Sequence, residues 1–213
     1  MKAEGCEGKK GVSRRERERQ RHREEILAGA ERLFAEKGFH ATTMEDVAAA
    51  AEFAVGTIYN FFASKEQLYH TLIGERFAEV CQAGHAMMDE ATDPVGVIRA
   101  FVEAKVRLAP ERLSFVKLYT RDRMSDRFAN NAFWRDTVGP LYMEWMERLV
   151  ATFAAGIEEG VFRGDVEPVD MAIAIDGLTD GFMYDWLTDA RGYAFADKLE
   201  AMWQLVLGGV RRK

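Results

Sequence analysis

The scarcity of helix-breaking residues constrains the fold of this chain more than any other feature of its sequence. The chain has only four prolines in 213 residues, and none occurs before Pro94. Alanine, leucine, glutamate and arginine are abundant, whereas runs of β-branched residues, which favour strands, are nearly absent. Long proline-free stretches of strong helix formers predict helices, so we expect an all-α fold.

Length and charge limit the possible functions. A chain of 213 residues suits one large domain, or a small domain joined to a larger one. Its formal net charge of -6 argues against a protein that coats nucleic acid through bulk charge. Residues 1–23, however, contain nine Lys or Arg and four Glu, so a basic arm precedes an acidic body. This asymmetry predicts a polyanion bound at one end, although a solvated tail would have the same composition.

The cysteine content and the hydropathy pattern indicate the compartment. Cys6 and Cys81 cannot form a disulfide framework, and this usage is typical of a reducing cytosol. The sequence has no uncharged apolar stretch of about 18 residues, and its amino terminus lacks the apolar segment of a signal peptide. We therefore expect a cytoplasmic protein that neither spans a membrane nor is exported.

Capping residues and apolar spacing predict the helices of the first third of the chain. A helix begins near Arg14 and ends at Gly38, because glycine is typical of helix carboxyl ends. Thr43, followed three positions later by Asp46, forms a capping-box pattern that opens a short helix. The segment VGTIYNFF predicts a second short helix, and Ser64 caps a longer one.

The helices of the remaining chain are separated by proline and glycine. Asp93 and Pro94 are an N-cap and first-turn pair for a helix that we expect Pro110 to end. Further helices are predicted over residues 111–124, 126–158, 168–189 and 195–211. No internal repeat of about 20 to 50 residues is present, which argues against a repeat protein.

Residues 43–62 combine two short helices with a tight turn. This is the arrangement of a helix-turn-helix, whose second helix enters the major groove of DNA. The stretch GTIYNFFASK strengthens this interpretation, because it resembles the signature of TetR-type transcriptional repressors through Gly56, Thr57, Ile58, Tyr59, Phe62 and Lys65. The resemblance covers about residues 22–72, and the rest of the chain resembles the family's variable ligand domain only as a run of helices.

The residue types around the second short helix suit contact with DNA. Gly56 lets a sugar-phosphate backbone approach closely, although glycine would also allow tight helix packing. Thr57, Tyr59 and Asn60 donate hydrogen bonds that suit phosphates, and the amide of Asn60 also suits a base edge. Lys65 stands in the first turn of its helix, an unfavourable place for a cation unless an anion is near.

Several residues depart from the family pattern. Glu52, Phe53 and Ala54 stand where small turn residues are usual, and Ala54 cannot cap the following helix by its side chain. An often basic position holds a valine, which would meet a thymine methyl rather than a phosphate. The candidate DNA-contacting residues are Thr43, Val55, Gly56, Thr57, Tyr59, Asn60 and Lys65. A double-stranded DNA operator is thus the expected partner, with the basic arm following its backbone or entering its minor groove.

The resemblance also implies a domain organisation and an assembly. It places a basic flexible arm at residues 1–21, a DNA-binding domain at residues 22–72 and a ligand-binding and dimerisation domain at residues 73–213. An apolar stripe near the carboxyl end is a helix-packing face, formed by Met171, Ile175, Leu178, Phe182 and Trp186. In the family such helices form a homodimer that binds a near-palindromic operator, although an intrachain core would have the same stripe.

Aromatic and methionine residues of the carboxy-terminal part are candidates for the walls of a ligand cavity. At helical spacing such residues are usually core, but in this family the region encloses a small hydrophobic or amphipathic ligand. The candidates are Phe115, Tyr119, Phe128, Trp134, Trp145, Met146, Asp180 and Met183. Asp176 and Asp180 lie on an otherwise apolar helix, where they would pair with arginines or bind a cationic ligand.

A catalytic function has little support in the sequence. Cys81 and His85 lie four residues apart, as do Glu66 and His70, but neither pair is joined by a second pair at metal-binding spacing. No nucleophile or phosphate loop accompanies the aspartates. We therefore expect a ligand-responsive DNA-binding repressor with no enzymatic activity and no cofactor. The alternatives are an enzyme on a helical bundle and a helical adaptor that does not bind DNA.

Overall fold

The computed structural model describes residues 13–123, 132–188 and 192–211. They form an all-α fold, which confirms the fold class expected from the sequence. The helices are α1 (Arg14–Lys37), α2 (Met44–Ala50), α3 (Val55–Phe61), α4 (Lys65–Asp89), α5 (Pro94–Glu111), α6 (Leu113–Arg123), α7 (Gly139–Glu158), α8 (Pro168–Leu187) and α9 (Leu199–Val210). A π-helical turn (Trp134–Val138) precedes α7, and a 3-10 turn (Phe195–Lys198) precedes α9. Within the described ranges no β-strand occurs, only an isolated antiparallel bridge between Phe162 and Arg211.

The chain divides between Tyr69 and His70 into two compact units, and this boundary lies inside α4. In the first unit, which ends at Tyr69, α1 packs against α2 and α2 packs against α3. The side chains at the centre of this unit are fully buried, namely Ile26, Leu27, Phe34, Val47, Ile58 and Leu68. Helices as short as α2 and α3 are unstable alone. The burial of these apolar side chains away from water therefore stabilises both helices in the folded unit.

Side-chain caps begin the helices where the sequence predicts them. The Thr43 hydroxyl accepts from the Asp46 amide at 3.1 Å, and the Asp46 carboxylate accepts from the Thr43 amide at 3.0 Å, which confirms the capping box. The Ser64 hydroxyl accepts from the Gln67 amide at 3.1 Å. Asp93 caps α5 in the same manner, and the helix begins at the proline that follows it. Local sequence therefore sets these helix starts.

The turn between α2 and α3 contains no glycine. Glu52 adopts a left-handed backbone conformation with a φ of 61°, a region that glycine occupies more easily. The Phe53 amide donates to the Ala48 carbonyl at 2.9 Å. The Phe53 ring meets the His22 ring of α1 edge-on, with 5.1 Å between the centroids. An aromatic contact to α1 thus anchors the turn, while Glu52 carries backbone strain.

The second unit, which begins at His70, is a helical bundle. Helix α7 has its most extensive contacts with α8, and α5 packs against α7, α8 and α9. The largest fully buried side chains of this core include Phe101, Phe153 and Phe162. Gly84 lets α4 approach α7, because a Cβ at this position would collide with the ring of Trp145. No helix in the described ranges is long and apolar enough to cross a membrane.

Three predicted helix boundaries are wrong. Pro110 does not end α5, which continues to Glu111. Pro110 lies in the last turn, so its missing amide removes only one hydrogen bond, and the Arg112 amide still donates to the Leu108 carbonyl at 3.0 Å. The helix predicted over residues 195–211 begins as a 3-10 turn. The helix predicted over residues 126–158 is interrupted by the π-helical turn, and its first six positions lie outside the described residues.

Candidate DNA-contacting surface and ligand cavity

Helix α3 presents polar side chains outward. Ile58 is fully buried and attaches the helix to the core, whereas Gly56, Tyr59 and Asn60 are exposed, with 49% of Tyr59 accessible. Thr57 is half-buried on the same helix. The exposed face therefore carries a phenol hydroxyl and a carboxamide, both of which can donate hydrogen bonds to a molecule outside the protein.

Gly56 has open space where a side chain would lie. No described atom lies within 4 Å of an ideal Cβ at this position. The alternative that this glycine allows tight helix packing is therefore wrong, and the backbone here is open to close approach from outside. Val55 precedes it, half-buried at the amino end of α3, which has no side-chain cap, as Ala54 predicts.

Thr43 is exposed at the amino end of α2. Its hydroxyl oxygen accepts the capping bond from the Asp46 backbone amide. Hydrogen bonds from the backbone and the side chain of Thr43 hold the pKa of Asp46 below its ordinary value. The box therefore keeps a carboxylate charged at the positive end of the α2 dipole.

Lys65 is engaged within the first unit. Its Nζ donates to the carbonyl oxygens of Phe39 and Thr42, both at 2.8 Å, and lies 4.5 Å from the centroid of the Phe39 ring. The Thr42 hydroxyl in turn donates to the Gly38 carbonyl at 2.8 Å. Two carbonyl oxygens and a ring face thus explain a cation at the first turn of α4 without an external anion.

Two arginines of α1 lie over aromatic rings at the carboxyl end of α3. The guanidinium carbon of Arg19 is 5.7 Å from the centroid of Phe61, and that of Arg23 is 5.7 Å from the centroid of Phe62. These pairs fix basic side chains next to α3. Sequence reasoning counted both arginines as part of a basic arm and missed this placement. Their spacing of four residues on one helix face was the available signal.

A cavity in the second unit lies among α4, α5, α6, α7 and α8 and contains about 650 Å³ of space, part of it open to solvent. Five predicted ligand-contacting residues line it: Phe115, Tyr119, Trp145, Asp180 and Met183. Trp134 and Met146 are buried but do not line the cavity, and the Trp134 ring centroid lies 5.9 Å from that of Tyr119. Phe128 lies outside the described residues.

Four charged side chains form one cluster on the polar wall of this cavity. Lys105 Nζ lies 2.5 Å from Oδ1 of Asp176 and 2.7 Å from Oδ1 of Asp180. Arg123 Nη1 lies 2.9 Å from Oδ2 of Asp180, and its Nη2 lies 3.3 Å from Oδ2 of Asp176. Each cation therefore bridges both carboxylates, and the formal charge of the cluster is zero.

Two tyrosines extend the cluster. The Tyr142 hydroxyl donates to Oδ2 of Asp176 at 2.8 Å. Arg123 Nη1 donates to the Tyr119 hydroxyl at 3.0 Å, and the guanidinium carbon lies 4.9 Å from the centroid of the Tyr142 ring. The polar wall is therefore a connected network rather than a set of separate ion pairs.

Electrostatics keep the cluster ionised in spite of its burial. Burial alone would lower the pKa of Lys105, but the carboxylates of Asp180 and Asp176 outweigh it and raise that pKa. Burial alone would raise the pKa of Asp176, but Lys105 and Arg123 hold it below the ordinary value. The pKa of Tyr119 is raised mainly by burial, so its hydroxyl keeps its proton.

Sequence reasoning missed the cations of this cluster. It identified Asp176 and Asp180 but left their partners open, and the lysine lies 71 residues before Asp176. The available signal was the register of Lys105 on α5, where it shares a face with Phe101 and Leu108. A cation on such a face requires a buried partner.

The apolar stripe predicted on α8 lies mainly inside the unit. Met171 and Ile175 are buried within the single chain, so the intrachain alternative applies to these two. The other three stripe residues are half-buried, namely Leu178, Phe182 and Trp186. A different face of α8 is open: Val169, Ile173 and Tyr184 are exposed, with 57% of Ile173 accessible. On α9, 56% of Leu205 is accessible. The glycines at positions 208 and 209 of this helix are exposed too.

The candidate metal-binding pairs occupy packed surroundings. Cys81 lines the cavity, and burial raises the pKa of its thiol to about 12. The His85 ring stacks on Trp145 at 5.3 Å, and the His70 ring stacks on Phe133 at 4.0 Å. Among the described residues, no three His, Cys, Asp or Glu side chains are placed together to hold a metal ion.

Comparisons with known proteins identify the first unit. The family model described as bacterial regulatory proteins, tetR family, matches residues 26–72. The HTH-type transcriptional regulator YhgD of Bacillus subtilis is 30% identical over 165 residues, which cover 76% of this chain and 82% of that protein. The HTH-type transcriptional repressor KstR2 of Rhodococcus jostii is 28% identical over 158 residues, 74% of each chain.

Solved structures resemble about 90% of the chain. The fatty acid degradation regulator FadR from Bacillus halodurans superposes with a TM-score of 0.77 over 90% of this chain and 97% of its own, at 22% identity. The ketosteroid transcriptional regulator KstR2 of Mycobacterium tuberculosis superposes with a TM-score of 0.69 over 90% of this chain and 95% of its own, at 23% identity. At these identities the likeness concerns the fold.

Proposed function

Because the chain belongs to the TetR family of bacterial regulatory proteins, we propose that it is a homodimeric transcriptional repressor controlled by a small molecule. The observation that carries the DNA-binding part is the outward face of α3, where an open glycine backbone adjoins exposed hydrogen-bond donors. The relatives are named transcriptional regulators, which indicates a role without enzymatic activity.

The proposed contacts follow from the placement of each side chain. Tyr59 and Thr57 donate to phosphates, the backbone at Gly56 lies against the sugar-phosphate chain, and Asn60 reads a base edge. Val55 meets a thymine methyl, and Thr43 donates to a phosphate at the amino end of α2. Lys65 supports this surface indirectly, by fixing the segment that leads into the capping box.

In the proposed dimer, the second copy of the chain binds the second half of the operator. The exposed apolar side chains of α8 and α9 support a second copy of this chain as the partner: Val169, Ile173, Tyr184 and Leu205. A two-fold dimer presents two α3 helices, which reach successive major grooves if they lie about 34 to 36 Å apart. The operator is then a near-palindrome. Within each copy we assign an arm to residues 1–21, DNA binding to residues 22–72, and ligand binding and dimerisation to residues 73–213.

In the proposed function, a small molecule bound in the cavity controls DNA binding. Helix α4 contributes Leu68 to the core of the first unit, and it contributes Phe77 and Cys81 to the wall of the cavity. A small hydrophobic or amphipathic ligand that alters the packing around Phe77 therefore acts on a helix shared by both units. Such coupling is typically worth about 1 to 3 kcal/mol, enough to release an operator.

Gel-shift titration with the DNA that flanks its own coding region tests the DNA-binding role. Tyr59→Phe should weaken operator binding, whereas Thr137→Val, which removes an exposed hydroxyl from the π-helical turn before α7, should leave it unchanged. Sedimentation at micromolar concentration tests the dimer. Specific binding by a monomer would contradict the assembly, and equal affinity for operator and unrelated DNA would contradict the function.

A further inference from the structure

The polar wall of the cavity is already balanced in charge, and this balance restricts what can bind there. Lys105 and Arg123 are both shared between the carboxylates of Asp176 and Asp180. A ligand with a net charge would leave either its own charge or that of a displaced partner unpaired in a mainly apolar cavity. Neither an amine nor a carboxylate therefore suits this wall.

The hydrogen-bonding capacity of the wall is one-sided. Each of the four carboxylate oxygens of Asp176 and Asp180 already accepts from Lys105, Arg123 or Tyr142. Donors, in contrast, remain. The Tyr119 hydroxyl accepts from Arg123 but donates to no described residue. The Lys105 ammonium donates two of its three N–H groups to carboxylates, which leaves one N–H group for a ligand. The wall therefore has unused N–H and O–H donors, whereas every carboxylate oxygen already has at least one partner, and Oδ2 of Asp176 has two.

We propose that the cavity takes a neutral, mainly apolar ligand that presents a hydrogen-bond acceptor, the oxygen of a ketone, ester or ether, to Tyr119 and Lys105. This inference rests on the proposed function, in which the cavity is the effector site, and it adds the chemical class of the effector. The apolar body of the ligand lies against the remaining wall, which includes Phe77, Leu108, Phe115, Trp145 and Met183.

Tyr142 provides a matched comparison for Tyr119. Both are tyrosines of the same cluster, but the Tyr142 hydroxyl is already donated to Asp176. Removing the Tyr119 hydroxyl takes a free donor from the cavity. Removing the Tyr142 hydroxyl instead takes one of two donors from Oδ2 of Asp176, which still accepts from Arg123. Of the two phenylalanine variants, only Tyr119→Phe therefore removes a donor that a ligand could use.

Four probes with one skeleton test the proposal: 4-phenylcyclohexanone, 4-phenylcyclohexanol, 4-phenylcyclohexylamine and 4-phenylcyclohexanecarboxylic acid. Binding to the full chain without DNA is measured by titration calorimetry at pH 7. The ketone and the alcohol, which both present a neutral acceptor oxygen, should bind at least about tenfold more tightly than the amine and the acid. Tyr119→Phe should weaken binding of the ketone, and Tyr142→Phe should weaken it less, because the Tyr142 hydroxyl is already donated to Asp176.

Each contrary result overturns a stated step. Binding of the acid or amine as tightly as the ketone refutes the charge argument, and unchanged ketone binding by Tyr119→Phe refutes the donor assignment. If none of the four probes binds the wild-type protein, the cavity does not admit this class of ligand. The probe series on the wild-type protein needs no variant to fold. Because no DNA is used, a protein that prefers the ketone but never binds or releases an operator contradicts the proposed function and leaves the ligand class standing.

Discussion

Lys105 on α5 and Asp176 on α8 are 71 residues apart in the sequence, yet the Nζ and Oδ1 atoms that join them lie 2.5 Å apart. The two side chains are only 15% and 4% exposed. A buried ion pair adds little stability as a pair, but the loss of one partner strands the other charge away from water. The contact therefore ties α5 to α8 at the wall of the cavity.

Neutralising the buried aspartate should destabilise the second unit. Asp176→Asn leaves Lys105 and Arg123 with one carboxylate between them, so we expect the free energy of unfolding to fall by about 3 kcal/mol. Asp165→Asn is the control, because Asp165 pairs with Arg163 at 2.7 Å on the surface and its loss should cost at most about 1 kcal/mol. Urea unfolding of both variants measures the difference. Equal losses would contradict the role assigned to burial.

Acid should remove the same contribution. Although burial raises the pKa of Asp176, Lys105 and Arg123 lower it further, so its folded-state pKa lies below the ordinary value. A depressed pKa gives stability that is present above the unfolded pKa of about 3.9 and is lost as pH falls through the folded value. Below about pH 4 the wild-type protein should therefore lose stability more steeply than Asp176→Asn. Parallel curves in urea titrations at stepped pH would count against this assignment.

Relieving the backbone strain in the turn should stabilise the first unit. Glu52 has a φ of 61°, which costs an L-residue roughly 1 to 2 kcal/mol, and glycine avoids this cost while adding entropy to the unfolded chain. Glu52→Gly should therefore raise the free energy of unfolding by about 0.5 to 1 kcal/mol. Glu52→Ala keeps the strain and should bring no gain. Thermal unfolding compares the two variants, and an equal effect of both would refute the strain.

Filling the open position on α3 should separate folding from DNA binding. No described atom lies within 4 Å of a Cβ at Gly56, so Gly56→Ala should fold normally and gain up to about 1 kcal/mol in helix propensity. The same methyl group would stand between the helix and a DNA backbone, so operator affinity should fall by about tenfold or more. Calorimetry and gel shifts on one preparation measure both quantities. Unchanged DNA binding would show that no backbone lies there.

Salt dependence should distinguish Lys65 from Arg19. Each phosphate neutralised by a side chain adds about 0.9 to the slope of log affinity against log salt. The Lys65 ammonium is committed to the carbonyls of Phe39 and Thr42, so Lys65→Met should destabilise the fold without changing this slope. Arg19→Ala removes an exposed cation beside α3 and should lower the slope by about 1. A slope that falls for Lys65→Met and not for Arg19→Ala would reverse the two assignments.

The sequence predicted the local parts of this molecule well, because they depend on neighbouring residues. The capping box of Thr43 and Asp46 and the cap at Ser64 need only residues three positions away. The helical fold follows equally from composition. Pro110 was misjudged because a proline in a last turn removes a single hydrogen bond.

The parts that the sequence could not predict depend on contacts between distant segments. Lys105 and Asp176 meet only once α5 and α8 pack together, and no local pattern specifies that pairing. The stripe through Met171 and Ile175 fitted a core and an interface equally well, because both bury the same apolar face. The role of Lys65 was hidden for the same reason, since its acceptors lie 26 and 23 residues earlier.

The thiol of Cys81 in the cavity wall is a poor target for oxidants. Burial raises the pKa of Cys81 to about 12, so almost none of it is the reactive thiolate at neutral pH. Peroxides and electrophiles attack the thiolate, and they will find this site inert although it faces the space where a ligand would lie. Cys81 therefore does not select molecules by their covalent reactivity, and the cavity selects them by shape and hydrogen bonding.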